Sequence, residues 1–151
     1  MYKNLLKTGW CLMLVWLNTA CAQKNFTTGI KGTVYFKEGN FMPSPDGMSK
    51  GSGTPVKRTL YVYEPTTDAD VVSDESTFYT AIKTKKVKTL RSDANGRYAA
   101  ALKPGKYSIF IQEKGKLYAN GFDGDGHIQP VSIEAGKITE LDLYISWAAF
   151  Y

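Results

Sequence analysis

Apolar and polar residues alternate with period two along most of the chain from Gly29 onward, the pattern of strands that bury one face. Ile30, Val34 and Phe36 share one parity against Lys31, Thr33, Tyr35 and Lys37, and Leu60 and Val62 alternate with Thr59, Tyr61 and Tyr63. Tyr107, Ile109 and Ile111 repeat the pattern, as do Val131 with Ile133, and Leu141 and Leu143 with Ile145. Phe78, Thr80, Ile82 and Thr84 keep one parity while Val87 takes the other, which predicts a bulge or break near Lys85-Lys86. No segment carries a helical period.

Turn residues separate these runs at short intervals: Asn95-Gly96, Pro104-Gly105, Asn120-Gly121, Asp123 to Gly126, and Ala135-Gly136. About seven short strands spaced in this way predict an all-β, antiparallel sandwich. Asn95-Gly96, between Val87-Leu90 and Tyr98-Leu102, predicts a tight hairpin with positive φ at both central positions. Two stretches fit no regular strand. Glu38 to Val56, rich in Gly, Pro and Ser, reads as a long loop, and Asp68 to Thr77 as an acidic one.

The first residues follow a different rule. Lys3 and Lys7 precede an apolar run from Trp10 to Leu17, which ends in Thr19, Ala20, Cys21 and Ala22, as a secretory signal peptide does. Spanning a bilayer takes about 20 apolar residues, and this run stops short of that at Asn18. Two cleavage sites compete. A cut before Cys21 leaves an N-terminal cysteine for lipid attachment, as in bacterial lipoproteins. A cut after Ala22 uses Ala20-Cys21-Ala22 as an Ala-x-Ala site and releases a soluble protein. An exported chain with one unpaired thiol favours the first. The expected organisation is a signal peptide over 1–20 with lipid on Cys21, a linker over 21–28, and one domain over 29–151. Ala22-Gln23-Lys24-Asn25 lacks an acidic cluster, so the expected place is the periplasmic side of the outer membrane.

Cys11 leaves with the signal and Cys21 is acylated, so no thiol remains for a disulfide or a thiolate metal site, and packing has to hold the fold. Losing Lys3 and Lys7 lowers Lys+Arg from 19 to 17 against 14 acidic residues, a net +3. That modest charge, with export, argues against a nucleic-acid partner.

The run Ser92-Asp93-Ala94-Asn95-Gly96-Arg97-Tyr98, followed by Leu102-Lys103-Pro104-Gly105-Lys106-Tyr107-Ser108-Ile109, resembles the core signature of carboxypeptidase regulatory-like domains. Gly29-Ile30-Lys31-Gly32-Thr33-Val34 is similar to their first strand. The resemblance implies a transthyretin-like (prealbumin-like) β-sandwich. The chain also resembles small lipoproteins built on this module, down to Met42-Pro43-Ser44-Pro45-Asp46 and Tyr118-Ala119-Asn120. Independently of the family, Pro104 and Gly105 allow a corner that points Tyr107 inward, where its hydroxyl needs a main-chain partner.

Catalytic candidates are scarce. Transthyretin-like folds include a hydroxyisourate hydrolase, whose site resembles several His and Arg with a Tyr-Arg-Gly-Ser tail. This chain has one histidine, His127, and ends Trp147-Ala148-Ala149-Phe150-Tyr151. It also lacks a Gly-x-Ser-x-Gly elbow. The expectation is a protein that is not an enzyme and takes no cofactor.

Asp123 and Asp125 could share a hard cation, although Asp-Gly pairs are also ordinary turn formers. Lys83, Lys85, Lys86, Lys88 and Arg91 form the densest basic run, with Asp68, Asp70, Asp74 and Glu75 nearby. Tyr35, Tyr61, Tyr63 and Tyr144 oppose the core parity and would form a stacking surface if they met on one face. The expected function is a non-catalytic interaction or accessory module held in the cell envelope, whose partner is an unidentified envelope protein or glycan. The alternative is a glycan-binding domain, with exposed aromatics beside polar groups in a concave groove.

Overall fold

The computed structural model describes residues 25–41, 51 and 53–151. The expected signal peptide, Cys21, the start of the linker and Met42 to Asp46 lie outside them. The domain is all-β, with one short 3-10 turn at Asp68–Asp70 and no α-helix among the described residues. Among the described residues no helix is long and apolar enough to cross a membrane.

Strand β1 (Gly29–Asn40) is the hub of the first sheet. On one side its first half pairs with β11 (Ile138–Glu140) and its second half with β12 (Leu143–Phe150). On the other side it pairs with β7 (Arg97–Ala101) and the two-residue β2 (Thr54–Pro55). Leu141 and Asp142 break the ladder between β11 and β12, and three hydrogen bonds hold the chain against β1 and β7 there. Leu141 N–H donates to the Lys31 carbonyl at 2.9 Å, Thr33 N–H donates to Asp142 Oδ1 at 2.8 Å, and the Tyr98 hydroxyl donates to the Leu141 carbonyl at 2.6 Å. A Cβ on Gly32 would stand 1.8 Å from that carbonyl, so this close approach requires glycine.

The second sheet runs in the order β4 (Val71–Glu75), β5 (Phe78–Ile82), β9 (Lys116–Tyr118), β8 (Gly105–Glu113), β3 (Thr59–Tyr63) and β6 (Lys86–Arg91), with β10 (Pro130–Ile133) paired to the start of β8. Both sheets feed one core. Ile30, Val34, Tyr98, Ala100, Leu143 and Ile145 come from the first; Leu60, Val62, Leu90, Ile109, Ile111 and Val131 are among those from the second. These are the residues of the alternating parity, and burying each large aliphatic side chain stabilises the fold by about 1.5–3 kcal/mol.

Several expectations need correction. The sandwich-like arrangement is not wholly antiparallel, because β1 pairs in parallel with β11 and β12. The chain reaches those strands through long connections, so no tight hairpin imposes the antiparallel sense. Twelve strands stand among the described residues where about seven were expected. Short β2, β9 and β11 carry too few residues to display a period, and exposed β4 has no buried face to report one. The long loop expected from Glu38 begins later, since β1 continues to Asn40 across a bulge between Phe36 and Glu38. The expected acidic loop contains β4, an edge strand with two register irregularities against β5. Charges and bulges suit an edge, where they discourage pairing with other chains. The break near Lys85-Lys86 falls between β5 and β6.

Asn95-Gly96 does not close a hairpin. β6 pairs with β3 in one sheet and β7 with β1 in the other, so this turn carries the chain between sheets. Gly96 has φ +73°, whereas Asn95 has no positive φ. Gly96 N–H donates to the Asp93 carbonyl, and Asp93 Oδ1 accepts from the Asn95 and Arg97 N–H groups at 2.9 Å each. An Asx-capped turn with a single glycine lacks the mirror-image twist that keeps paired strands together. Buried Ser92 fixes the other side, accepting from Arg58 N–H at 2.7 Å and donating to the Val56 carbonyl at 3.0 Å.

Candidate functional site

The outer face of the second sheet is divided in two. One part is roofed: Tyr79, Phe110, Ala119 and Ile128 form a second buried cluster, joined by Tyr63, Val71, Ile82 and Leu117. The roof is made by the loop over 119–129 and the segment after β3. Ile128 N–H donates to the Thr66 carbonyl at 2.8 Å, Thr67 bridges His127, and Thr66 N–H donates to Ser108 Oγ at 3.1 Å. Strand β8 is therefore buried on both faces from Tyr107 to Ile111, where the alternation had suggested one. Within this roof the Tyr79 hydroxyl is buried and has no hydrogen-bond partner among the described residues. Burial first, then the charge of Asp68 and the neighbouring Tyr118, raise its pKa above the ordinary phenol value.

The loop brings Asp123, Asp125 and His127 together, their ligating atoms lying within 4.8 Å of one another. A fourth member joins them from a distant part of the chain. Lys106, at the start of β8, places its Nζ 2.8 Å from Asp123 Oδ2, 3.1 Å from His127 Nδ1 and 4.0 Å from Asp125 Oδ2. Asp123 Oδ1 also accepts the backbone N–H groups of Asp125 at 3.0 Å and His127 at 2.8 Å. The Lys106 ammonium, then those backbone and His127 hydrogen bonds, hold the Asp123 carboxyl well below the usual carboxylate range. An ammonium thus stands where a cation would bind, and a divalent ion has to displace it. The arrangement makes a charged clasp that ties the roof loop to β8.

The four tyrosines do not meet. Tyr35 and Tyr144 stack at 5.4 Å on the first sheet, with Lys37 4.8 Å from the Tyr144 ring centroid. Tyr61 and Tyr63 lie on the second sheet. The basic run disperses too: Lys83 Nζ donates to the Ala69 carbonyl at 3.0 Å and Lys88 Nζ to the Ala101 carbonyl at 2.8 Å. Asp74 pairs with Lys116, and Asp70 accepts from the Thr67 main chain and hydroxyl rather than facing the run as a whole.

The unroofed part of the second sheet's outer face is a track of two shallow hollows. Register places Tyr61 opposite Thr89 and Phe110, Arg91 opposite Thr59, and Gln112 opposite Leu117, and directly opposed residues of antiparallel strands share a face. One hollow, about 190 Å³, is lined by Tyr61, Tyr63, Thr80, Lys86 and Gln112 among others. The next, about 320 Å³, is lined by Lys57, Arg58, Thr59, Arg91 and Gln112. Gln112 borders both. The Tyr61 hydroxyl donates to Gln112 Oε1 at 3.0 Å, which leaves the Gln112 amide N–H groups as donors, and Lys86 Nζ lies 5.1 Å from the Tyr61 ring centroid. Burial, then Tyr61, raise the Tyr63 hydroxyl above the ordinary phenol value. Arg58 is engaged by buried Glu113 at 2.7 Å, whereas the Lys57 and Arg91 head groups have no partner among the described residues.

The residues singled out for structure have structural places: Asn95 and Gly96 in the turn between sheets, Pro104 just before β8 and Gly105 at its first position, and Tyr107 in the core with its hydroxyl donating to the Lys103 carbonyl at 3.0 Å. Cys21 lies outside the described residues. Comparisons with protein-family models, curated proteins and solved structures returned no match.

Proposed function

We propose that this chain is a non-catalytic interaction or accessory module of the cell envelope, a transthyretin-like sandwich of the carboxypeptidase regulatory-like kind held to the outer membrane by lipid on Cys21. The observation that carries the reading is the half-open outer face of the second sheet. Loops roof one part of that face, and the rest offers tyrosines, an amide and unpaired cations to solvent. Asp123 with His127, the cluster of carboxylate and imidazole among the described residues, is closed by Lys106 and ties down the roof. A glycan-binding domain is the second reading, favoured by the hollow in which Tyr61 and Tyr63 stand beside Gln112, Lys86 and Thr80.

Two experiments test the proposal. Photocrosslinking in intact cells from position 61 should capture a partner that position 35, on the other sheet, does not; equal capture from both would contradict the assignment of the face. Cys21→Ser should move the protein from the membrane to the soluble fraction, and a mature N-terminus at unmodified Gln23 would overturn the anchor.

A further inference from the structure

We infer that the open track on the second sheet recognises an anionic glycan, an oligosaccharide bearing sulfate, phosphate or carboxylate groups, with the sugar over Tyr61 and the charged substituent at Lys57 and Arg91. This inference rests on the glycan-binding reading and names its ligand class and site.

Three observations combine. The first is composition by position. The tyrosine hollow supplies aromatic rings, hydroxyls and an amide together with Lys86 and Lys116, groups that pack on and hydrogen-bond to a sugar, and the adjoining hollow is lined by Lys57, Arg58 and Arg91 with no carboxylate in its lining. The second is which cations are free. Glu113 engages Arg58, and main-chain carbonyls engage Lys83 and Lys88, whereas Lys57 and Arg91 have no partner among the described residues. A free guanidinium presents a planar fork of donors that fits two oxygens of one oxyanion. The third is the joint between the hollows. Gln112 lines both, and accepting from Tyr61 fixes its carbonyl end, so its donors are oriented without cost to the ligand. The larger groove near β7 shares Lys57 and Arg91 with this track, but Glu140, Asp142 and Asp93 line it as well, which makes it the poorer place for an anion.

The test uses the purified full-length protein with three probes: a sulfated dextran oligosaccharide, the unsulfated oligosaccharide of the same length, and a polyphosphate of matched charge. The sulfated sugar should bind at least tenfold more tightly than either of the others, and the affinity should fall as salt rises. Arg91→Gln and Tyr61→Ala should each cost about tenfold or more, and Tyr61→Phe, which keeps the ring, should cost less. Tyr144→Ala, on the other sheet, should change nothing. Arg91 is an exposed edge residue, so its variant tests the inference even if Tyr61→Ala unfolds. Equal binding of both sugars, insensitive to Arg91→Gln, would overturn the anionic assignment and leave the glycan reading standing. Polyphosphate binding as tight as that of the sulfated sugar, insensitive to Tyr61→Ala, would reduce the track to a general polyanion surface and overturn the inference. No binding of either sugar would overturn both.

Discussion

The Tyr107 hydroxyl donates to the Lys103 carbonyl at 3.0 Å, four residues upstream, and closes the corner through which the chain enters β8. The ring fills the core while the hydroxyl satisfies a main-chain acceptor that Pro104 and Gly105 turn away from any ladder. Tyr107→Phe should therefore lower stability by about 0.5–1.5 kcal/mol, more if the carbonyl is left dry. Denaturant melts measure this, and an unchanged midpoint would contradict the corner's role.

The Tyr79 hydroxyl poses the opposite case, being buried and unpartnered among the described residues. Desolvating such a group costs about 1–3 kcal/mol, and Tyr79→Phe removes it while keeping the ring against Phe110. The variant should be more stable than the parent by a fraction of that amount. A loss of comparable size would show that the hydroxyl is hydrogen-bonded in solution.

Asp123 sets a pH dependence. Its folded-state pKa is depressed by Lys106 and by the His127 and Asp125 hydrogen bonds, so its contribution is fully present above the unfolded value, about pH 4, and is lost as pH falls through the lower folded value. Melting temperature should fall below about pH 4, and less steeply in Asp123→Asn. Glu134, Glu140 and Asp70 are lowered too, so the slope should shrink rather than vanish. Parallel acid slopes for parent and variant would contradict the clasp.

The same clasp bears on metal. Because Lys106 Nζ occupies the centre of the acidic cluster, melts in EDTA and in about 0.1 mM calcium should coincide, a concentration well below the millimolar constants of weak extracellular sites. A rise of several degrees with calcium, absent in Asp123→Asn, would make the loop a metal site.

Much of the core was legible because period two reports burial directly. Ile30, Val34, Leu60, Val62, Ile109, Ile111, Leu143 and Ile145 are all buried. What alternation does not report is a second buried face. Tyr107 to Ile111 reads as one parity because its odd residues are apolar, but Phe110 is buried on the opposite side under a roof built by remote segments. Lys106 escaped for a similar reason, since 17 residues separate it from Asp123 and only the pairing of β8 with β10 brings the loop over it. The tyrosines share a parity, but parity carries no information about which sheet a strand joins. Asn95-Gly96 was read by its dipeptide, whereas the Asp93 side chain decided the turn.

In-cell hydroxyl-radical footprinting, set against the purified protein, tests the central claim most directly, because it reads the two sheet faces in one molecule. If the open face of the second sheet is the contact surface, Tyr61 and Tyr63 should be less oxidised in intact cells than in the purified protein, with Tyr35 and Tyr144 unchanged. Equal oxidation of Tyr61 in both settings, or protection confined to Tyr35 and Tyr144, would contradict the account.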